Sequence, residues 1–152
     1  FKTLIPCNLF GYYDNFDLMA AHLIPGVLHR LHLSALNSSP SVEIWGDGSA
    51  RREFMFAGDL ADFVCSAVSL YDDLPEEMNV GVGTDYSVKE YYEMIAGVVG
   101  YEGSFEYDLS KPQGMSQKLV DISRQSELGW SPPTPIDEAI AETYQHFLEV
   151  GI

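Results

Sequence analysis

Apolar residues fall in two rhythms along this chain. Short runs in which nearly every residue is apolar alternate with longer stretches in which apolar residues recur every three or four positions. The first rhythm suits buried strands and the second suits one-sided helices. Residues 2–10 read as a buried strand that ends near Pro6, because proline interrupts a hydrogen-bonded ladder. Residues 42–45, 54–56, 78–82, 104–107 and 119–122 read as further short extended pieces. Leu23, Ile24, Val27, Leu28 and Leu31 sit at helical spacing. They predict a helix that starts between His22 and Ile24, with Pro25 tolerated in its first turn. The Asn37-Ser38-Ser39-Pro40 loop ends it. Asp59 is the expected cap of a second helix carrying Leu60, Phe63, Val64, Ala67 and Leu70. Ser87-Val88-Lys89-Glu90 is a capping box that opens a third, closed by Gly100. Ser123 is expected to cap a single turn that stops at Gly129. Pro135, with Asp137 and Glu138 behind it, starts a last helix running toward Leu148.

Strands and helices therefore alternate, and the class is α/β. No repeat, low-complexity tract or flexible linker divides the 152 residues, which make one domain or a piece of a larger one. The first residue is Phe rather than Met, so the true N-terminus is expected to be absent, and targeting cannot be judged. Hydrophobic residues make up 46% of the chain and charged residues 20%, enough to bury a core and too apolar for disorder. No apolar run is long enough for a membrane span. Net charge is −15, from 23 acids against 8 bases, which argues against sequence-independent nucleic-acid binding. An anionic small ligand would need positive charge gathered locally. Cys7 and Cys65 cannot make a disulfide framework, which favours a reducing, cytoplasmic setting. Both are expected to be packed and inert.

The chemistry concentrates at Trp45-Gly46-Asp47-Gly48-Ser49-Ala50-Arg51-Arg52-Glu53-Phe54. A glycine turn at a strand end presents two arginines beside a flat aromatic face. Guanidinium groups match phosphate bidentately. The stretch is either a nucleotide-diphosphate site or a β-turn with a core Trp and solvated arginines. Alternation along the strand turns Arg52 toward the ligand and Arg51 and Glu53 away, Glu53 toward a nearby base. Two other patterns are discounted. Gly81-Val82-Gly83 lacks the third glycine of a dinucleotide turn. Tyr107 and Lys111 have the Tyr-x-x-x-Lys spacing, but Pro112 keeps that segment out of a helix. His29 and His32 could pair on a metal, but no third ligand is near in sequence.

The ordered set of motifs resembles the C-terminal half of the GDP-L-fucose synthase family. These are extended short-chain dehydrogenases/reductases acting as NADP-dependent GDP-4-keto-6-deoxymannose epimerase/reductases. The resemblance rests on Pro6-Cys7-Asn8-Leu9-Phe10-Gly11 with Asp14-Asn15-Phe16, and on His22-Leu23-Ile24-Pro25. It continues through Trp45-Gly46-x-Gly48 with Arg52-Glu53-Phe54, Asn79-Val80-Gly81-x-Gly83, Val98-Val99-Gly100-Tyr101 and Lys111-Pro112. Leu128-Gly129-Trp130 and Thr143-Tyr144-x-x-Phe147-Leu148 close it.

It implies the substrate-binding lobe of such an enzyme plus the last elements of its Rossmann sheet, spanning residues 1–152. The NADP-binding N-terminal portion would lie outside this chain and hold most of the NADPH. Pro6, Cys7, Asn8, Leu9 and His22 would meet the nicotinamide end, with His22 as the proton donor in epimerisation. Arg30, Trp45, Arg52 and Gln113 would hold the GDP-sugar. The implied partners are that sugar nucleotide, the N-terminal half and a second subunit of a homodimer, with no nucleic acid and no membrane. Ser104 and Gln113 depart from the family pattern at places tied to substrate contacts. An NDP-sugar 4-epimerase or 4,6-dehydratase, and a sugar-nucleotide-binding module without chemistry, are the alternative readings.

Overall fold

The computed structural model describes residues 1–112 and 114–150, and its sheets are short, mostly parallel pairings. The N-terminal apolar run forms two strands, β1 (Thr3–Pro6) and β2 (Asn8–Phe10), broken at Cys7. β3 (Ser41–Trp45), β4 (Arg51–Arg52) and β5 (Phe54–Phe56) follow α1 (Leu23–Leu36). After α2 (Ala57–Ser69) come β6 (Glu77–Val80), β7 (Tyr86–Ser87), α3 (Val88–Val99), β8 (Ser104–Asp108) and β9 (Gln117–Lys118). α4 (Ser123–Glu127) and α5 (Ile136–Val150) complete the order. β1 pairs in parallel with β6, β2 with β5, and β3 with β8. β4 lies between β7, antiparallel to it, and β9, parallel to it.

β5 divides two cores. Successive strand residues point to opposite faces. Phe54 and Phe56 accordingly join Phe10, Ile24, Leu28, Ile44, Tyr91 and Ile140 in the larger cluster. Met55, between them, joins Cys7, Phe63, Met78 and Val80 in the smaller one. α3 packs against both α1 and α5 over the larger core, and α2 supplies Phe63 and Ala67 to the smaller.

The local signals in the sequence hold where they are self-contained. α1 begins at Leu23 with Pro25 in its first turn and ends at Leu36. The Ser87 box forms both of its bonds, Glu90 N to Ser87 Oγ at 3.1 Å and Ser87 N to Glu90 Oε2 at 2.6 Å. Gly100 closes α3 with φ 79.

Ser123 does not cap its turn: Ile122 takes that position and Ser123 is the first residue of α4. Three further expectations need correction. The first run is not a buried strand throughout: Leu4 packs on the smaller core, whereas Thr3 and Ile5, which alternate to the opposite face, and Pro6 are exposed. Asp59 does not cap α2. β5 runs straight into the helix, Phe56 takes the cap position, and Asp59 sits in the first turn. There it accepts the Thr134 hydroxyl at 2.6 Å and amide at 3.3 Å. Finally, the extended piece expected at 119–122 forms instead at β9. β4 dictates this, with Arg51 N donating to Ser116 O at 2.8 Å and Glu53 N to Lys118 O at 3.3 Å.

Candidate functional site

His22, Arg30 and Trp45 line one cleft of about 270 Å³, together with Val88, Tyr92 and Pro112. His22 is the residue before α1, extended at φ −68 and ψ 174, and its side chain makes no cap hydrogen bond. Its carbonyl accepts the first helical bond, from Gly26 N at 3.0 Å. The exposed imidazole therefore sits at the helix mouth without being spent on holding the helix. Arg30 comes two turns later on the same face. Its Nη1 donates to Tyr92 Oη at 3.1 Å and to the Glu43 carbonyl at 3.3 Å. Burial pushes the Tyr92 phenol up, and the Arg30 charge opposes that only in part, so Tyr92 is a neutral acceptor. Trp45 ends β3 and is 57% exposed, so it is not a core tryptophan. Its Nε1 donates to Glu43 Oε1 at 2.9 Å, and the Lys111 ammonium stands 5.4 Å from the ring centroid. A cleft wall thus carries an open indole with a cation over it.

The turn after Trp45 needs its glycines. Gly46 and Gly48 have φ 73 and 74. A Cβ on Gly48 would also come within 3.1 Å of the Tyr107 ring and 3.2 Å of Lys89 Cβ. The two arginines that follow separate cleanly. Arg51 Nε donates to Asp85 Oδ1 at 2.7 Å, Nη2 to the Asp85 carbonyl at 2.6 Å, and Nη1 reaches Glu90 Oε2 at 3.4 Å. Gln117 Nε2 takes the other Asp85 oxygen at 2.6 Å. The Gln117 bond first, and then the Arg51 bond and charge, hold the Asp85 carboxyl below its ordinary range. Arg51 is thus committed to a lock among β4, β7 and β9.

Arg52 instead donates from Nη1 to the carbonyls of Arg51 and Met115, each at 2.7 Å. Arg52 is not among the residues lining the His22 cleft, although Pro112, three residues before Met115, is. In the β4–β9 register Arg52 stands opposite Lys118, so both cations leave one face of the sheet. Lys118 Nζ donates to Asn8 Oδ1 at 3.1 Å. Lys118 is the residue that reading the sequence passed over. No local pattern marks it, because its place follows from a strand register between distant segments.

Asn8, expected at the nicotinamide end, is held at both ends of its amide, since Nδ2 also donates to the Glu53 carbonyl at 2.7 Å. Pro6 is exposed at the end of β1, and Leu9 packs on the smaller core. Cys7 is buried, and its thiol is pushed up to about 12, mainly by burial and then by the Glu53 charge. It is a packed thiol and not a nucleophile. Cys65, in contrast to the expectation, is exposed on α2.

Glu53 also departs from expectation. It is fully buried, and its carboxylate accepts three backbone amides and no base: Val82 N at 2.7 Å, Gly83 N at 2.8 Å and Val120 N at 2.9 Å. His29 Nδ1 is bonded to the Phe16 carbonyl and His32 Nδ1 to the Tyr144 hydroxyl, so the two imidazoles serve packing against α5. Tyr107 lies in β8 and Lys111 in the bend beyond it. Ser104 bonds Pro40 at the end of the β3–β8 pair opposite Trp45. Gln113 lies outside the described residues.

Residues 1–81 match the NAD dependent epimerase/dehydratase family. The chain belongs to this family. Among its curated relatives, the GDP-L-colitose synthase of Yersinia pseudotuberculosis is 48% identical over 97% of this chain and 48% of its own length. The GDP-L-fucose synthase of Azorhizobium caulinodans is 48% identical over 97% of this chain and 47% of its own. A solved structure, the GDP-mannoheptose C4 reductase of Campylobacter jejuni with NADP bound, matches with a TM-score of 0.86 at 28% identity. That match covers 97% of this chain and 53% of the reductase. The chain spans about half the length of the curated relatives it matches. No helix among the described residues is long and apolar enough to cross a membrane.

Proposed function

We propose that this chain is the substrate-binding portion of an NADP-dependent epimerase/reductase acting on a GDP-linked 4-keto sugar. The observation that carries the reading is the cleft in which an uncommitted imidazole, an arginine and an open indole meet. Epimerisation beside a ketone requires a proton to be taken from carbon on one face and another returned on the opposite face; in this reading His22 donates the returned proton and a base from the N-terminal portion takes the first. Arg30, Arg52 and Lys118 supply the local cations that a diphosphate needs in a chain of net charge −15. Asn8, fixed by Glu53 and Lys118, fits an amide-recognising place at the nicotinamide end. NADPH bound there would supply the hydride for the ketone. The chain has no glycine-rich pyrophosphate turn, and in this reading the N-terminal portion provides it. That portion adds strands to the open edge of β1 and covers the apolar stripe Ala61, Val64 and Val68 on α2, which is exposed.

The test uses the full-length protein with GDP-4-keto-6-deoxymannose and NADPH in D₂O. Turnover should oxidise NADPH and place deuterium at the carbons flanking the ketone. His22→Ala should slow that exchange by roughly 10²- to 10⁴-fold while GDP affinity changes by less than about two-fold. Unchanged exchange would reduce His22 to a helix-start residue. GDP binding with no turnover in the wild type would favour a binding module.

A further inference from the structure

We propose that Glu53 is a positioning residue that sets the place of the Lys118 ammonium against the Asn8 amide. The proposal rests on the reading of this site as a sugar-nucleotide site. One residue touches three stretches of chain here. Through its backbone, Glu53 donates to Lys118 O at 3.3 Å and accepts the Asn8 side chain at 2.7 Å. Through its carboxylate it holds Val82, Gly83 and, two residues beyond Lys118, Val120. The surroundings are shaped to the carboxylate. A Cβ on Gly81 would stand 2.5 Å from Glu53 Oε1 and 2.5 Å from Val120 Cγ2. Burying a carboxylate is expensive, and a core needs none to be stable. What an apolar residue could not do is pin three amides from two loops to one point.

The functional groups at the two ends of this clamp are Asn8 and Lys118, which meet each other at 3.1 Å. Asn8 hangs from the Glu53 carbonyl, and Lys118 is held between its own carbonyl bond to Glu53 and the Val120 bond that follows. The carboxylate thereby fixes the distance from the Lys118 ammonium to the amide that would face the cofactor.

The experiment is a double-mutant cycle in the full-length protein, pairing Glu53→Gln with Lys118→Met. Glutamine keeps the shape and an oxygen for Val82 and Gly83, but puts an N–H against the Val120 N–H. Segment 117–120 is then released while the turn at 81–83 is kept. Glu53→Gln should lower kcat/KM for the GDP-4-keto sugar by roughly ten-fold or more, and in the Lys118→Met background by no more than about two-fold. Losses that simply multiply would show that Glu53 acts on overall stability and not through Lys118, and would overturn the proposal. Amide hydrogen exchange without ligand gives the second reading. Faster exchange at 118–120 with protection retained at 82–83 supports the clamp, and unchanged exchange at Val120 overturns it. If Glu53→Gln does not fold, the wild-type Val120 amide decides: core-like protection supports the proposal and loop-like exchange overturns it. A wild type without turnover removes the enzymatic reading alone, since the exchange data still judge the clamp.

Discussion

Arg51 and Arg52 are neighbours of the same type, and the fold puts them to different uses. Arg51 is consumed by Asp85 and Glu90, whereas Arg52 donates to main-chain carbonyls and shares a sheet face with Lys118. Each charge-assisted bond to a diphosphate is worth about 1.5–3 kcal/mol, so Arg52→Ala should weaken GDP binding roughly ten- to a hundred-fold. Arg51→Ala should leave affinity within about two-fold and lower the melting temperature. Calorimetric titration and thermal unfolding of the full-length variants check both. Equal losses of affinity would mean a diffuse charge patch. Alternation along a strand is enough to foresee that the two arginines part. It does not say which partners each finds, because Asp85 and Met115 are distant in sequence.

At the scale of elements, the three-stranded sheet of β4, β7 and β9 is short and depends on side chains more than on its ladder. Asp85 is its keystone, 7% exposed and held by Gln117 and Arg51. Those bonds depress its folded-state pKa. A depressed carboxyl contributes stability that is complete above its unfolded value, about 3.9, and is lost as pH falls through the folded value. The difference in urea midpoint between wild type and Asp85→Asn should therefore be widest above about pH 5 and shrink on acidification below about pH 4. A gap that widens with acid would reverse the assigned sign. The contrast between α3 and α2 shows what a local signal can carry. The Ser87 box is a contract between residues three apart, and both of its bonds are present. Asp59 has the same chemistry, but the strand entering α2 had already set the helix start at Phe56.

The whole molecule has two cores on the two faces of β5, and they are finished to different degrees. The larger is closed by α1, α3 and α5. Among the described residues, the smaller leaves β1 with an open edge and much of α2 exposed. In the reading proposed above, the missing cover is the part that binds the cofactor pyrophosphate and supplies the acid for reduction. The 152-residue chain by itself should then oxidise no NADPH when given a 4-keto sugar nucleotide. Measurable oxidation by the purified chain would remove the division of labour between the two portions.

The α/β class, the ends of α1 and α3, the glycine turn after Trp45 and the motif order that marks the family are all determined by the sequence alone. Each depends on residues close together in the chain, or on their order along it. The tertiary structure decided the rest. It brought His22, Arg30 and Trp45 to one cleft and kept Arg52 off its walls. It set Lys118 beside Asn8 and buried Glu53 among three amides. Those outcomes follow from strand register and from which distant segments meet. A one-residue change of register would turn Lys118 to the opposite face while leaving every local preference in the sequence satisfied.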